Sequence, residues 1–189
     1  MVVYGIRDDR ARRLAYPLLA LAVREQWGME SLPDMERGAR GKPFFPQHPH
    51  RQFNLSHSGS LAVCALDDAP VGVDIQMVQQ RREKLIGRVC SDRERDWLRR
   101  RGDRAEDFAL LWAMKESRCK YRGEGLPLPV SNLSVPLPEG EEQVLEWEGL
   151  CFYLASGEDW RFALCGSGAW DGRIHWVGPE IFNTEETLL

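Results

Sequence analysis

The chain has 189 residues, 43% of them hydrophobic and 29% charged, enough apolar material for one compact domain or two small halves sharing a core. A net charge of −4 and a pI near 5.6 exclude nucleic-acid binding driven by overall charge. The first ten residues lack the apolar stretch of a signal peptide, and the run at 16–23 is too short to span a bilayer, so a soluble cytoplasmic protein without a membrane partner is expected.

In chain order, residues 8–27 read as a helix, with Arg12 and Arg13 near its start and apolar residues from Leu14 to Trp27. Pro17 places the start of the regular part near itself, since proline fits a first helical turn. LPDMERGARGKPFFPQHPH, residues 32–50, holds four prolines and two glycines, too many for regular structure. A short strand follows at 52–55, then the loop SHSGS. LAVCAL at 61–66 and VGVDIQ at 71–76 flank the turn residues DDAP and predict a hairpin. Ser91 with Glu94 makes an S-x-x-E capping box, opening a helix to about Arg100. Asp103 with Glu106 offers a second such start, for a helix that Gly123 and Gly125 end. Strands are expected at about 133–135, 144–147, 152–155, 161–165 and 174–177. LAVCALDDAPVGVDI is echoed by FALCGSGAWDGRIHWV, strand, turn, strand in both, as a duplicated α+β unit would produce. The five cysteines, Cys64, Cys90, Cys119, Cys151 and Cys165, form no C-x-x-C and are odd in number. They read as core residues in a reducing compartment.

The chemistry starts in ALLWAMKESRCKYRGEG, residues 109–125. At about 100° per residue, Phe108, Leu111, Trp112, Lys115 and Cys119 share one helix face. A lysine among aromatic side chains is costly unless an anion meets it, which points to a cleft. Glu116 and Lys120 lie one turn apart at the edge of that face; an ordinary surface pair has the same spacing and contributes roughly a few tenths of a kcal/mol. Asp74 sits in the apolar strand VGVDIQ, on the same face as Gln76. An acid there is disfavoured, and Asp74 is either an edge residue facing water or a ligand. Asp74 and Glu116 together could hold one hard cation, because Mg²⁺ takes one or two carboxylates and completes its shell with water and phosphate oxygens. FNLSHSGS offers a backbone nest for phosphate with His57 as an added donor, or else a polar loop. Lys42, between Gly41 and Pro43, is by itself consistent with any exposed turn. Basic residues cluster from Arg81 to Arg104, as a solvated helical face or as a surface for an acidic partner.

In combination, G-K-P at 41–43, N-L-S-H-S-G at 54–59, G-V-D-I at 72–75 and W-A-M-K-E-S-R-C-K at 112–120 resemble the phosphopantetheinyl transferase family. The resemblance is to its larger, pseudo-dimeric type, which activates peptide and polyketide synthetases, and it covers residues 41–135 closely. It implies an α+β fold of two similar α/β halves about a pseudo-two-fold axis, each a small antiparallel sheet packed on a long helix. The halves would be 1–69 and 70–189, and the protein a monomer. It implies transfer of the 4′-phosphopantetheine arm of coenzyme A to a serine of an acidic acyl or peptidyl carrier protein, with release of 3′,5′-ADP. Carried onto this sequence, Asp74 and Glu116 would hold Mg²⁺ against the pyrophosphate, and Glu116 would also take the proton of the carrier serine. Lys120 would stabilise or protonate the departing phosphate, and Lys115 would contact phosphate from the opposite side. Ser56 and His57 would hold the 3′-phosphate together with Arg13, and the loop with Lys42 and Pro43 would line the adenine. Many members have a second acid where Gln76 stands, so this resemblance implies a metal site of two carboxylates, with Gln76 acting through water and weaker affinity. The first half is also shorter than is usual for this type. A metal-dependent phosphodiesterase using the same acids, and a relative that binds coenzyme A or carrier protein without turnover, are the alternatives.

Overall fold

The computed structural model describes residues 1–79, 83–126, 129–140 and 143–182. The chain enters through β1 (Val2–Arg7) and α1 (Ala11–Trp27), then forms a minimal ladder of β2 (Glu36–Arg37) with β3 (Pro43–Phe44). Strands β4 (Gln52–Ser58), β5 (Leu61–Asp67) and β6 (Val71–Met77) follow. Next come α2 (Glu83–Val89), α3 (Asp92–Arg100) and α4 (Ala105–Arg122), and then β7 (Val144–Trp147), β8 (Leu150–Ser156), β9 (Trp160–Gly166) and β10 (Ile174–Val177). One four-stranded sheet has the order β10-β1-β5-β4, the other β6-β9-β8-β7. All their pairings are antiparallel except β1 with β10.

The layers are α1, first sheet, second sheet, α4. Along β5, Ala62, Cys64 and Leu66 face the α1 core while Leu61, Val63 and Ala65 face the second sheet. Phe162 and Leu164 of β9 meet that central layer, and Ala163 and Cys165 face the α4 core. Strands buried on both faces read as continuous apolar runs, which is why LAVCAL shows no alternation. The order strand, long helix, hairpin occurs twice, and each time the first strand pairs with the second hairpin strand: β1 with β5, and β6 with β9.

Several expectations are corrected. LAVCAL and VGVDIQ are not a hairpin: β5 belongs to the first sheet and β6 to the second, so DDAP carries the chain between sheets. The echoing segment does the reverse, from β9 to β10. Doubly buried strands carry no signal about which strand is their neighbour. The boundary expected at 69/70 falls in the first of these links, and β10 returns across it. SHSGS is not a loop: β4 extends through Ser58 and pairs with β5. Residues 133–135 form no strand, and side chains bond carbonyl groups in and beside this segment. Lys115 bonds Val130 O, Arg118 bonds Ser134 O and Trp97 Nε1 bonds Pro138 O. Helix α1 runs through Pro17, at the loss of one ladder bond. Arg104, not Asp103, is the N-cap of α4, without a side-chain cap bond. The Ser91–Glu94 capping box is present. Strand β1 was not expected; Gly5 interrupts its apolar run because a Cβ there would meet Ile174 and Trp176 at under 3 Å.

Candidate active site

Strand β6 lies at the border between the two sheets, and β4 satisfies its outer edge with side chains. Val73, Ile75 and Met77 donate their backbone N–H groups to Asn54 Oδ1, Ser56 Oγ and Ser58 Oγ at 2.9, 3.3 and 3.0 Å. The N-x-S-x-S spacing puts these three acceptors on one face of β4. Ser56 also donates to Asp74 Oδ1 at 2.6 Å. Gln76 Nε2 donates to Asp74 Oδ2 at 2.6 Å, and Lys120 Nζ to Asp74 Oδ1 at 2.6 Å and Val73 O at 3.2 Å. The buried Asp74 carboxylate is therefore held from three sides.

Gly72 brings Lys120 there. A Cβ on Gly72 would lie 2.0 Å from Ser117 O and 2.3 Å from Tyr121 N, so the backbone of α4 rests directly on β6. Glu116 and Lys120, one turn apart, then stand over Asp74. Burial, with the charge of Asp74 behind it, raises the pKa of Glu116; Lys120 opposes this. Two carboxylates facing one ammonium leave a surplus of negative charge.

A cleft of about 240 Å³ opens beside this group, lined by Lys42, Pro43, Asn54, Glu116, Lys120 and Gly123 among others. Lys42 Nζ crosses to Val71 O at 3.0 Å and Tyr121 O at 3.2 Å, and burial pushes its pKa down to about 8. His57, exposed on β4, has its pKa lowered by partial desolvation, then by Arg12 and Lys120, against the pull of Asp74. A second, apolar pocket begins at Gln76 and Met77 and continues along Leu85, Phe108 and Trp112.

The structure therefore gathers Asp74, Gln76, Glu116, Lys120 and His57, with Lys42 and Pro43 on the cleft wall. Lys115 is a correction. It is fully buried and turned away, paired with Glu94 Oε2 at 2.8 Å and bonded to Val89 O and Val130 O at 2.9 and 3.2 Å. Its three protons are used, and its anion is a protein carboxylate rather than a phosphate. Ser56 is buried too, and its hydroxyl serves Asp74 and Ile75 instead of a phosphate. The charge that reaches His57 belongs to Arg12, the neighbour of the expected Arg13. Asn54, Ser58, Gly72 and Glu94 also shape the site; the alternate spacing in NLSHS was the available signal for the first two. Of the basic residues, Arg95, Arg99, Arg101 and Arg104 pair with nearby Asp92, Asp96 and Asp107, while Arg81 and Arg82 lie outside the described residues.

A family model described as the 4′-phosphopantetheinyl transferase superfamily matches residues 70–165. A 4′-phosphopantetheinyl transferase of Bacillus subtilis is 35% identical over 141 residues, covering 67% of this chain and 60% of that protein. The Sfp transferase of B. subtilis strain 168 is 39% identical over 108 residues, 56% of this chain and 48% of its own length. One from Bacillus pumilus is 38% identical over 142 residues, 73% of this chain and 60% of its own. The chain thus spans between about half and three fifths of the length of these curated relatives. Asp74, Glu116 and Lys120 all fall within the stretch that the family model matches, and the chain belongs to the 4′-phosphopantetheinyl transferase superfamily.

Proposed function

We propose that the protein transfers the 4′-phosphopantetheine arm of coenzyme A to a serine of an acyl or peptidyl carrier protein and releases 3′,5′-ADP. The observation that carries this reading is the meeting of Asp74, Glu116 and Lys120 beside the cleft lined by Lys42 and Pro43. Phosphoryl transfer asks for positioned charge and a placed base rather than covalent help from the protein.

The donor set fits Mg²⁺. Among the described residues no three His, Cys, Asp or Glu side chains gather, but two carboxylates with surplus charge and a neighbouring amide suit a cation that keeps several waters. Asp74 and Glu116 would hold it, with Gln76 steadying Asp74 and reaching the ion through water; when bound, it supplies charge neutralisation at the pyrophosphate. Glu116 accepts the proton of the carrier serine. Lys120 meets the charge that develops on the departing phosphate. Arg12 and His57 hold the 3′-phosphate, where an arriving anion restores the proton that His57 otherwise gives up. The segment Gly41–Pro43 lines the adenine, its place set by the Lys42 bonds to β6 and α4.

The acceptor serine would arrive over the apolar pocket beside Gln76, and exposed Lys84, Arg88, Arg93 and Arg100 suit an acidic carrier. The repeated strand–helix–hairpin order supports two halves related by a pseudo-two-fold axis, dividing near 69/70, so that one chain supplies both sides of the site as a monomer. Five free thiols, four of them buried, suit a reducing, cytoplasmic setting, and no described helix is long and apolar enough to cross a membrane.

One assay tests the reading. The protein is mixed with coenzyme A, Mg²⁺ and apo carrier protein, and the carrier is weighed by mass spectrometry. A gain of one phosphopantetheine arm is expected. Breakdown of coenzyme A without carrier modification would instead mean a phosphodiesterase, and neither change a binding-only relative.

A further inference from the structure

The Lys115 ammonium meets three oxygens from three separate segments: Val89 O at the end of α2, Glu94 Oε2 in the first turn of α3, and Val130 O in the turn after α4. Glu94 cannot swing to follow it, because Glu94 Oε2 also accepts from Ser91 N at 2.7 Å within the capping box. Both side chains are almost completely buried, at 0% and 3% exposure. Such a pair adds little net stability over a matched apolar pair, since desolvating two ions offsets their attraction. What it adds is position. A fully buried stem whose ammonium is held by three fixed oxygens leaves its helix little room to turn.

Glu116 is the next residue, about 100° further round the helix, and Lys120 lies one turn beyond it. On its other side α4 rests on Gly72, where not even a Cβ fits. A rotation or slide at Lys115 therefore passes to Glu116 instead of being absorbed by soft side chains.

We propose that the Glu94–Lys115 pair is a positioning device that fixes the rotation of α4, so that Glu116 and Lys120 face Asp74 beside the cleft. This rests on the transferase reading above, in which those three side chains carry the reaction. Lys115 and Glu94 act through Glu116 and touch no substrate themselves.

The test compares the wild-type protein with Glu94→Gln/Lys115→Met. Lys115→Met alone would strand a buried carboxylate and risk unfolding. The double variant removes both charges, keeps an oxygen for the Ser91 N–H and preserves side-chain length. Thermal unfolding establishes that it is folded, calorimetry gives coenzyme A affinity, transfer to apo carrier gives kcat and KM, and a crystal structure locates Glu116. Coenzyme A affinity and KM are expected to stay within about two-fold while kcat falls about 100-fold, the effect of ångström-scale misplacement. The crystal structure is expected to hold Glu116 displaced from Asp74. A folded double variant with wild-type kcat, or with α4 in its wild-type rotation, overturns the proposal. If the wild-type protein itself transfers nothing, the transferase reading fails, and the position of Glu116 in the double variant still decides the positioning role. Should the double variant not fold, Lys115→Arg keeps the charge pair, but its planar head cannot meet the same three oxygens from the same helix rotation, and it is judged by the same criteria.

Discussion

Replacing Gly72 by alanine would act on the site through the backbone alone. The added Cβ would lie 2.0 Å from Ser117 O, 2.3 Å from Tyr121 N and 2.9 Å from Tyr121 Cα. All three are main-chain atoms of α4, so no side chain can turn aside. Moving from 2.0 Å to the 3.4 Å of an ordinary contact asks for about 1.4 Å of separation between β6 and α4. Overpacking of this kind costs about 1–3 kcal/mol, which lowers Tm by about 2–12 °C in a chain of this size. The same shift carries Lys120 out of hydrogen-bond reach of Asp74, from which it now stands 2.6 Å away. Transfer activity should fall about 100-fold. Gly87→Ala serves as the control: no atom lies within 4 Å of its added Cβ, and alanine in a helix is favoured over glycine by about 1 kcal/mol. Differential scanning calorimetry and steady-state transfer to a carrier give both quantities. A Gly72→Ala protein with wild-type Tm and kcat would refute the claim that direct backbone contact sets the site.

The raised pKa of Glu116 means that the folded, ligand-free protein binds this proton more tightly than the unfolded chain does. The associated stabilisation is complete below the ordinary carboxylate range and is lost as pH rises through the folded value. Glu116→Gln, always neutral, should therefore raise the Tm of the ligand-free protein more at pH 7 than at pH 4 while abolishing transfer; a pH-independent Tm difference would count against the shift. Arg12→Ala should weaken coenzyme A about 10-fold or more and 3′-dephospho-coenzyme A much less, since a charge-assisted bond to phosphate contributes about 1.5–3 kcal/mol. Calorimetry on Arg12→Ala and Arg13→Ala separates the neighbours, and the larger loss falling on Arg13 would reverse the assignment. Association with an acidic carrier should slow as ionic strength rises past about 0.1 M, where screening reaches 10 Å; a salt-independent stopped-flow rate would remove Lys84, Arg88, Arg93 and Arg100 from that encounter.

What the sequence made legible was local or carried by ordered motifs. The Ser91–Glu94 box, the Gly123 stop of α4 and the carboxylates at 74 and 116 depend on spacing along one element or on motifs at fixed positions. What it hid was the identity of partners across the fold. A lysine on the apolar face of α4 announces that an anion is near, but the sequence pattern does not say that the anion is Glu94, a residue already accounted for as a cap. One carboxylate performs both tasks, and only packing reveals the second. The role of Ser56 is hidden in the sequence for a related reason. A hydroxyl next to a histidine suggests a ligand contact, whereas its true demand comes from the unpaired edge of β6, which lies in another sheet. The hairpin error has the same origin: strands buried on both sides give no sign of which neighbour each one chooses.

The parallel pairing of β10 with β1, Val3 opposite Ile174, bears on how the molecule is made. During synthesis, β1 is made well before β10, and its outer edge waits for a strand translated long after it. Until then a row of main-chain donors and acceptors stands open to any other extended peptide. The first sheet therefore stays one strand short until residue 174 has been made, and a nascent chain stalled before it keeps that edge open.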